Sequence, residues 1–492
     1  MTLPPDISPA GVRDARAMVA TGHPLAAEAA RQCLREGGSA VDAAIAADAI
    51  LGVVEPMATS IGGDLLAMIV QPDGHVDSYN GTGRSPAGLA PDLIATLPGG
   101  RIPERHPLSC TVPGAVRGWH DLHRRHGRLD WARLLAPAIA LAQDGFALAP
   151  VAAREWKLFD RVLHADAECA RLYRAGNPPV AGERFVNPAL ARTLAAIAAD
   201  GPDAYYLGDA ARAAERASAA QGGVLAAADF AAHTGDFCPP VSTTFRGVEV
   251  FECPPNTHGV AILHALDALE PQDLDPADPA TALRTVRAMG EAMRHARETV
   301  ADPAGNTVCT VVVDQDGLAV TLMSSIFKRF GSGIAVPGCG FVLQNRGFGF
   351  SAPGHINGAA PRKRPYHTVV PGAARRDRRF HAAFGVVGGL MQPQGQLQLL
   401  VRLLANREPL QAALDAPRWR LESDTTLAIE AGMPDPICRA LRDAGYADPA
   451  GQGELGGRSD FGGAQAVRRN ADGSLTGASD RRKDGMALGL GD

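Results

Sequence analysis

The stretch Asn306-Thr307-Val308-Cys309-Thr310-Val311-Val312-Val313-Asp314-Gln315-Asp316-Gly317 decides how this chain is read. It follows a flexible run, Asp302-Pro303-Ala304-Gly305, and opens a β-branched strand on a threonine. Asp316-Gly317 then turns the chain into a second apolar run, Leu318-Ala319-Val320-Thr321-Leu322. This is hairpin chemistry, in which glycine supplies the positive φ that the turn needs. Threonine is a good strand former in its own right. At the first position of a core strand it has a second use. A cut before Thr307 would make its hydroxyl a nucleophile and its freed α-amine the base.

The 492 residues suffice for two or three average domains or one large layered one. With 46% apolar and 21% charged residues the chain can bury a sizeable core. The net charge of −5 is spread along the chain, and no basic stripe interleaved with aromatics points to nucleic acid. The cluster Arg375-Arg376-Asp377-Arg378-Arg379 is expected at a solvated turn between two strands. Cys33, Cys110, Cys169, Cys238, Cys253, Cys309, Cys339 and Cys438 form no CxxC pair and no zinc spacing with histidine. Buried free thiols in a reducing compartment are expected, with no metal. Met1-Thr2-Leu3-Pro4-Pro5-Asp6 lacks the basic and apolar regions of a secretory signal. No apolar run reaches the roughly 18 residues of a membrane span, so a cytoplasmic protein is expected.

Helical patterns run from His23 to Glu36 and from Ala40 to about Val53, the second capped by Ser39 and apolar almost all round. Gly62-Gly63 leads into a strand, Leu65 to Val70, and Asp73-Gly74 turns it back. Further helices are expected at 113–125, 130–144, 188–200, 260–269 and 280–300, with a strand at 246–252. Beyond Thr307 strands dominate, at 307–314, 317–324, 366–373 and 379–387. Helices follow at 394–405, 409–415 and 434–444, then strands at 462–468 and 474–479. Helices on both sides of a β-rich middle suggest sheets inside and helices outside.

Taken in order, many short segments resemble the γ-glutamyltransferase family of N-terminal-nucleophile hydrolases. They are Gly38-Ser39-Ala40-Val41-Asp42-Ala43-Ala44, Val54-Glu55-Pro56 through Ile61-Gly62-Gly63, Thr111-Val112-Pro113-Gly114-Ala115-Val116 and Gly201-Pro202-Asp203-Ala204-Tyr205-Tyr206. Then come Gly222-Gly223, Phe245-Arg246-Gly247, and Pro254-Pro255 through His258-Gly259. The C-terminal part adds Phe330-Gly331-Ser332-Gly333, Lys363-Arg364-Pro365, Gly388-Gly389, Ala416-Pro417-Arg418 and Phe461-Gly462-Gly463-Ala464-Gln465. The resemblance implies an α+β fold, a four-layer αββα sandwich with two stacked antiparallel sheets between helical layers. It implies a precursor cut between Asn306 and Thr307 into a large chain, 1–306, and a small chain, 307–492, that stay together. Thr307 would be the nucleophile, Gly388 and Gly389 would offer backbone N–H groups to the oxyanion, and Ser325 would supply a hydroxyl to Thr307. No cofactor or metal is implied. The partners would be the two chains of the one precursor, with a homodimer of processed pairs possible, a small-molecule amide as substrate, and neither nucleic acid nor membrane.

The substrate positions depart from the family pattern. Thr82 stands where γ-glutamyl enzymes place an arginine, with Arg84 the nearest arginine. Phe327 replaces an asparagine, Gly349 the acidic residue that holds a substrate α-amine, and Arg346 the preceding glutamine. His367 and Thr368 replace paired serines. Without a carboxylate, a substrate ammonium would be buried unpaired, which is costly. Arg84, Arg346 and His367 instead make the pocket more basic, and Phe327 should shrink it. The expected activity is hydrolysis of a small amide bearing a carboxylate, such as oxamate. The alternatives are a γ-glutamyl hydrolase or transferase acting on glutathione-like compounds, and an uncleaved, non-catalytic binding protein. Only Ala301 to Asn306 separate the last helix from Thr307, where family members usually carry a long segment.

Overall fold

A computed structural model describes residues 11–14, 16–300, 306–447 and 461–491. The short segment 301–305 before the expected cut, and the side chain of Asn306, lie outside the described residues. The first ten residues lie outside them as well.

Two seven-stranded sheets form the middle of the molecule, every neighbouring pair antiparallel. One runs, edge to edge, Met486–Gly489, Met18–Thr21, Asn306–Val313, Ala319–Phe327, Asp64–Val70, Val76–Asn80 and Asp236–Cys238. The other runs Val12–Asp14, Leu475–Ser479, Gly463–Arg469, Arg379–Val387, Gly372–Arg376, Val248–Glu252 and Val241–Phe245. Strands from before and after Thr307 therefore share both sheets.

Period-two patterning sorts the side chains into layers. Cys309, Val311 and Val313 join Met68, Met323, Ala373 and Val467 in the core between the sheets. Val308 and Val312 point the other way, onto the helix Ala40–Val54. The far face of the second sheet, through Val250, Phe384 and Val386, packs on the helices Gly259–Leu269, Pro279–Thr299 and Met391–Leu400. Each buried valine or leucine contributes about 1.5–3 kcal/mol relative to exposure. The outcome is the expected αββα sandwich.

Helix Ala40–Val54 is buried along all 15 residues. Ser39 caps it through a reciprocal box with Asp42, and the Asp314 carboxylate accepts from Ala40 N at 2.9 Å. The hairpin turn that follows the Asn306–Val313 strand is thereby tied to this helix. Gly317 holds φ at +87°, as the turn requires. At the Arg375–Arg379 turn, Asp377 and Arg378 both have positive φ, and Arg375 pairs with Glu249 rather than standing free in solvent. All eight cysteines are free, and seven are buried. Among the described residues no helix is long and apolar enough to cross a membrane.

The strand expected at 366–373 is corrected. Pro371 carries no N–H for a ladder, and the strand begins only at Gly372. Residues 366–371 run irregularly beside Asn256–His258, joined by His367 N to Asn256 O at 2.8 Å and His258 N to His367 O at 3.2 Å. This irregular course is what brings His367 and Thr368 to the site.

Candidate active site

Thr307 lies at a β-bulge. Asn306 pairs with Phe327 and Val308 with Ser324, so Ser325 and Ile326 together stand opposite the single residue Thr307. Bulges re-aim side chains and gather beside active sites. Thr307 is buried, and its hydroxyl accepts a hydrogen bond from Gln392 Nε2 at 2.6 Å. The other end of that amide, Gln392 Oε1, accepts from Val370 N at 3.3 Å. The two contacts fix the amide orientation: nitrogen to the threonine, oxygen to the backbone donor. With Gln392 donating, the hydroxyl keeps its own proton for another acceptor.

Gln392 sits in the first turn of helix Met391–Leu400, directly after Gly388-Gly389. Gly388 has φ +116° and Gly389 φ +63°. A Cβ on Gly388 would lie 2.9 Å from Gly462 Cα, closer than real contacts come. Gly388 O accepts from Met391 N and Gly389 O from Gln392 N, so the pair both turns the chain out of the strand and starts the helix. The tight turn and the expected oxyanion role thus fall on the same two residues.

Ser325 is fully buried and its Oγ accepts from Phe327 N at 2.9 Å and from Arg346 Nη2 at 3.0 Å. Arg346 is also fully buried. Its Nη1 donates to Thr368 Oγ1 at 3.1 Å, and the guanidinium lies 4.0 Å from the Phe327 ring centroid. Arg346 Nε is buried without a partner. Burial pulls the Arg346 pKa down to about 9, against an upward pull from Asp64. Phe327 holds φ at +77°, a strained value for an aromatic residue. Thr368 O accepts from His258 Nε2 at 3.0 Å.

His367 is brought to the same layer, but it adds no positive charge there at neutral pH. Burial, with Arg346 nearby, lowers its pKa to about 4. Its Nδ1 accepts from Val369 N, which leaves Nε2–H to donate to Asp64 Oδ2 at 3.3 Å. The expectation of a third basic group is corrected accordingly. Asp64, which sequence reasoning passed over, is a buried carboxylate of the site. Gly83 N and Gln344 Nε2 both donate to its Oδ1 at 2.8 Å. Burial favours its neutral form, but the His367 hydrogen bond and Arg346 outweigh that and hold its pKa below the usual value.

Arg84 stands apart from this network. It is half-buried, and its side chain makes no hydrogen bond or ion pair among the described residues. Thr82 donates to Asn80 Oδ1 through both its N and its Oγ1. Gly349 ends a short 3₁₀ turn that begins at Arg346, and a Cβ there would meet Tyr366 O at 2.9 Å. Of the residues singled out in the sequence, Ser325, Phe327, Arg346, His367 and Thr368 converge, and Thr307 with Gly388-Gly389 forms the adjoining centre. Gln392 and Asp64 complete it. The one sequence signal for them was position, Asp64 after Gly62-Gly63 and Gln392 after Gly388-Gly389.

The γ-glutamyltranspeptidase family model matches residues 26–304 and 296–490. The chain belongs to this family. A glutathione hydrolase-like YwrD proenzyme of Bacillus subtilis is 33% identical over 96% of the chain and 98% of its own length. An oxamate amidohydrolase proenzyme of Klebsiella pneumoniae is 34% identical, again over 96% and 98%. Among solved structures, a cephalosporin acylase from Bacillus halodurans superposes with a TM-score of 0.90 at 32% identity, covering 99% of each chain. This γ-glutamyltranspeptidase-family protein is an enzyme of the amide-hydrolase and acyltransferase class, as expected, and the alternative of a non-catalytic binding protein is set aside.

Proposed function

We propose that this chain cuts itself between Asn306 and Thr307 and then works as an N-terminal-nucleophile amidohydrolase on a small amide that carries a carboxylate. Residues 1–306 and 307–492 would remain together as one αββα unit. The observation that carries the reading is Thr307 at a bulge, its hydroxyl held by Gln392 at 2.6 Å next to a buried layer centred on Arg346.

The freed α-amine, with an unperturbed pKa of about 8, takes the Thr307 hydroxyl proton. The hydroxyl oxygen attacks the substrate carbonyl, and Gln392 supports the charge developing on it. Backbone N–H groups at Gly388-Gly389 face the oxyanion, where one such donor is worth about 10²–10³ in rate. The C–N bond breaks, the amine takes the proton and leaves, and water releases the acyl group. Arg346, with an unused Nε–H, supplies positive charge for a substrate carboxylate, and Arg84 offers a second, more exposed cation. Phe327 closes the space beside them. Substrate groups of this kind are consistent with the oxamate amidohydrolase relative.

A substrate panel with N-terminal sequencing tests the reading. The purified protein should give two bands in place of one at 51.2 kDa, with the smaller chain beginning at Thr307. Oxamate should be hydrolysed in preference to γ-glutamyl-p-nitroanilide. Strong release from the γ-glutamyl compound with none from oxamate would establish the glutathione-type alternative instead.

A further inference from the structure

Before the cut, Thr307 has no free amine, because its nitrogen is part of the Asn306–Thr307 peptide. The first attack of its hydroxyl needs a proton acceptor from elsewhere, and Gln392 presents a donor to it. A cavity of about 10 Å³ is lined by Thr307, Val308 and Cys309, and also by Glu55, Gln465 and Lys483. That is room for about one water.

Glu55 caps the C-terminal end of helix Ala40–Val54 and is only 8% exposed. Its carboxylate accepts no hydrogen bond among the described residues. A carboxylate this little exposed, with no donor from the described residues, is costly to ionise. Lys483, Glu155, Asp484 and Arg329 surround it. Glu155 engages both cations, with Lys483 Nζ at 3.5 Å and Arg329 also paired to it. Glu55 is left with little neutralisation. Burial raises its pKa to about 7, Lys483 opposing and Glu155 and Asp484 adding. A group titrating there can both take and return a proton near neutrality.

Resting on the cut before Thr307 proposed above, we infer that Glu55, through one water in this cavity, accepts the Thr307 hydroxyl proton during scission of the precursor. Thr307 Oγ bonds to the Asn306 carbonyl carbon, its proton passes to the water, and a proton of that water passes to Glu55. The carbon–nitrogen bond then breaks, and Glu55 returns the proton by the same route to the Thr307 nitrogen. The product is an ester between Asn306 and Thr307 Oγ. A second water hydrolyses it to the Asn306 carboxylate, the free hydroxyl and the free amine. Glu55 is thus a positioning and relay residue for the cut, and the new amine replaces it as base afterwards.

The test follows scission of purified full-length wild type, Glu55→Gln and Glu55→Asp on denaturing gels from pH 5.5 to 8.5, with N-terminal sequencing of the small chain. Wild type should split before Thr307 with a rate that rises through about pH 7. Glu55→Gln should be slower by about 10²-fold or more and lose that rise, and Glu55→Asp should fall between. A Glu55→Gln rate within threefold of wild type, or a slowed rate with the wild-type pH profile, overturns the inference and leaves the Thr307 reading standing. A wild-type chain that stays whole, or begins elsewhere, overturns both. If Glu55→Gln fails to fold, the wild-type profile decides: a flat rate from pH 6 to 8 overturns the relay.

Discussion

Replacing Gln392 by leucine tests the chemistry at its centre. The side chains are similar in volume, but leucine removes the donor 2.6 Å from Thr307 Oγ and the acceptor 3.3 Å from Val370 N. The stability cost is that of one buried N–H left unpaired, about 1–3 kcal/mol. Unfolding entropy of about 2.1 cal/mol/K per residue, over 492 residues, makes 1 kcal/mol worth roughly 1 °C in Tm. The variant should therefore melt within about 3 °C of wild type and remain folded. The catalytic cost is larger. In the transition state the threonine oxygen carries developing negative charge, and a hydrogen bond to a charged partner is worth about 1.5–3 kcal/mol. At 1.36 kcal/mol per tenfold, kcat/KM should fall about 10- to 150-fold, with the loss in kcat rather than KM. Steady-state kinetics on the processed enzyme, with oxamate as substrate and a thermal melt alongside, read both numbers. A folded variant that keeps kcat within threefold of wild type would refute the role given to Gln392.

Thr307→Ala should stay a single band at 51.2 kDa through prolonged incubation and show no amidase activity; two bands would mean that another residue makes the cut. Arg346→Met removes the hydrogen bonds to Ser325 and Thr368 and the charge beside Phe327. KM for a carboxylate-bearing amide should rise at least about tenfold, since a charge-assisted bond is worth about 1.5–3 kcal/mol, and an unchanged KM would place substrate recognition elsewhere. Acidification should destabilise the fold. His23, His233 and His367 are buried with pKa values held down to about 4, against 6.5 for the free group. Between those values the unfolded chain binds protons that the folded one refuses, so stability is present above pH 6.5 and is lost as pH falls toward 4. At 1.36 kcal/mol per unit, each histidine contributes up to about 3 kcal/mol. A Tm that does not move from pH 7 to pH 4.5 at fixed ionic strength would contradict this.

Much of the fold was legible because local and global signals agree. The β-branched run after Thr307 and the Asp316-Gly317 turn specify a hairpin, and the structure holds that hairpin at the middle of a sheet. Helix Ala40–Val54 was legible from its apolar surround and its Ser39 cap. The segment 366–373 misled because Val369 and Val370 look like strand residues, while Pro371 denies the ladder a donor. The edge strand Val12–Asp14 is three residues long and the strand Met486–Gly489 only four, too short for period-two patterning to stand out. At the site, position and chemistry parted company. Arg346, Ser325 and Thr368 were legible as positions. The neutrality of His367 was not, because it depends on complete burial and on the nearby Arg346 charge, which together outweigh the opposite pull of Asp64, far away in sequence. Gln392 was hidden for the same reason. It is one glutamine among Gln392, Gln394, Gln396 and Gln398, and only the turn at Gly388-Gly389 selects which of them meets Thr307.

The sharing of both sheets by strands from before and after Thr307 carries a consequence for the lifetime of the molecule. Met18–Thr21 lies between Met486–Gly489 and Asn306–Val313, and Asp64–Val70 borders Ala319–Phe327. If the backbone opens at the proposed cut, neither piece owns a complete sheet. Each would expose bare ladder edges if pulled from the other, and the instructions for threading one through the other would have been destroyed with the peptide bond. Fragments parted by denaturant and remixed should precipitate instead of regaining activity, so the proposed cut would have to follow folding and could not precede it.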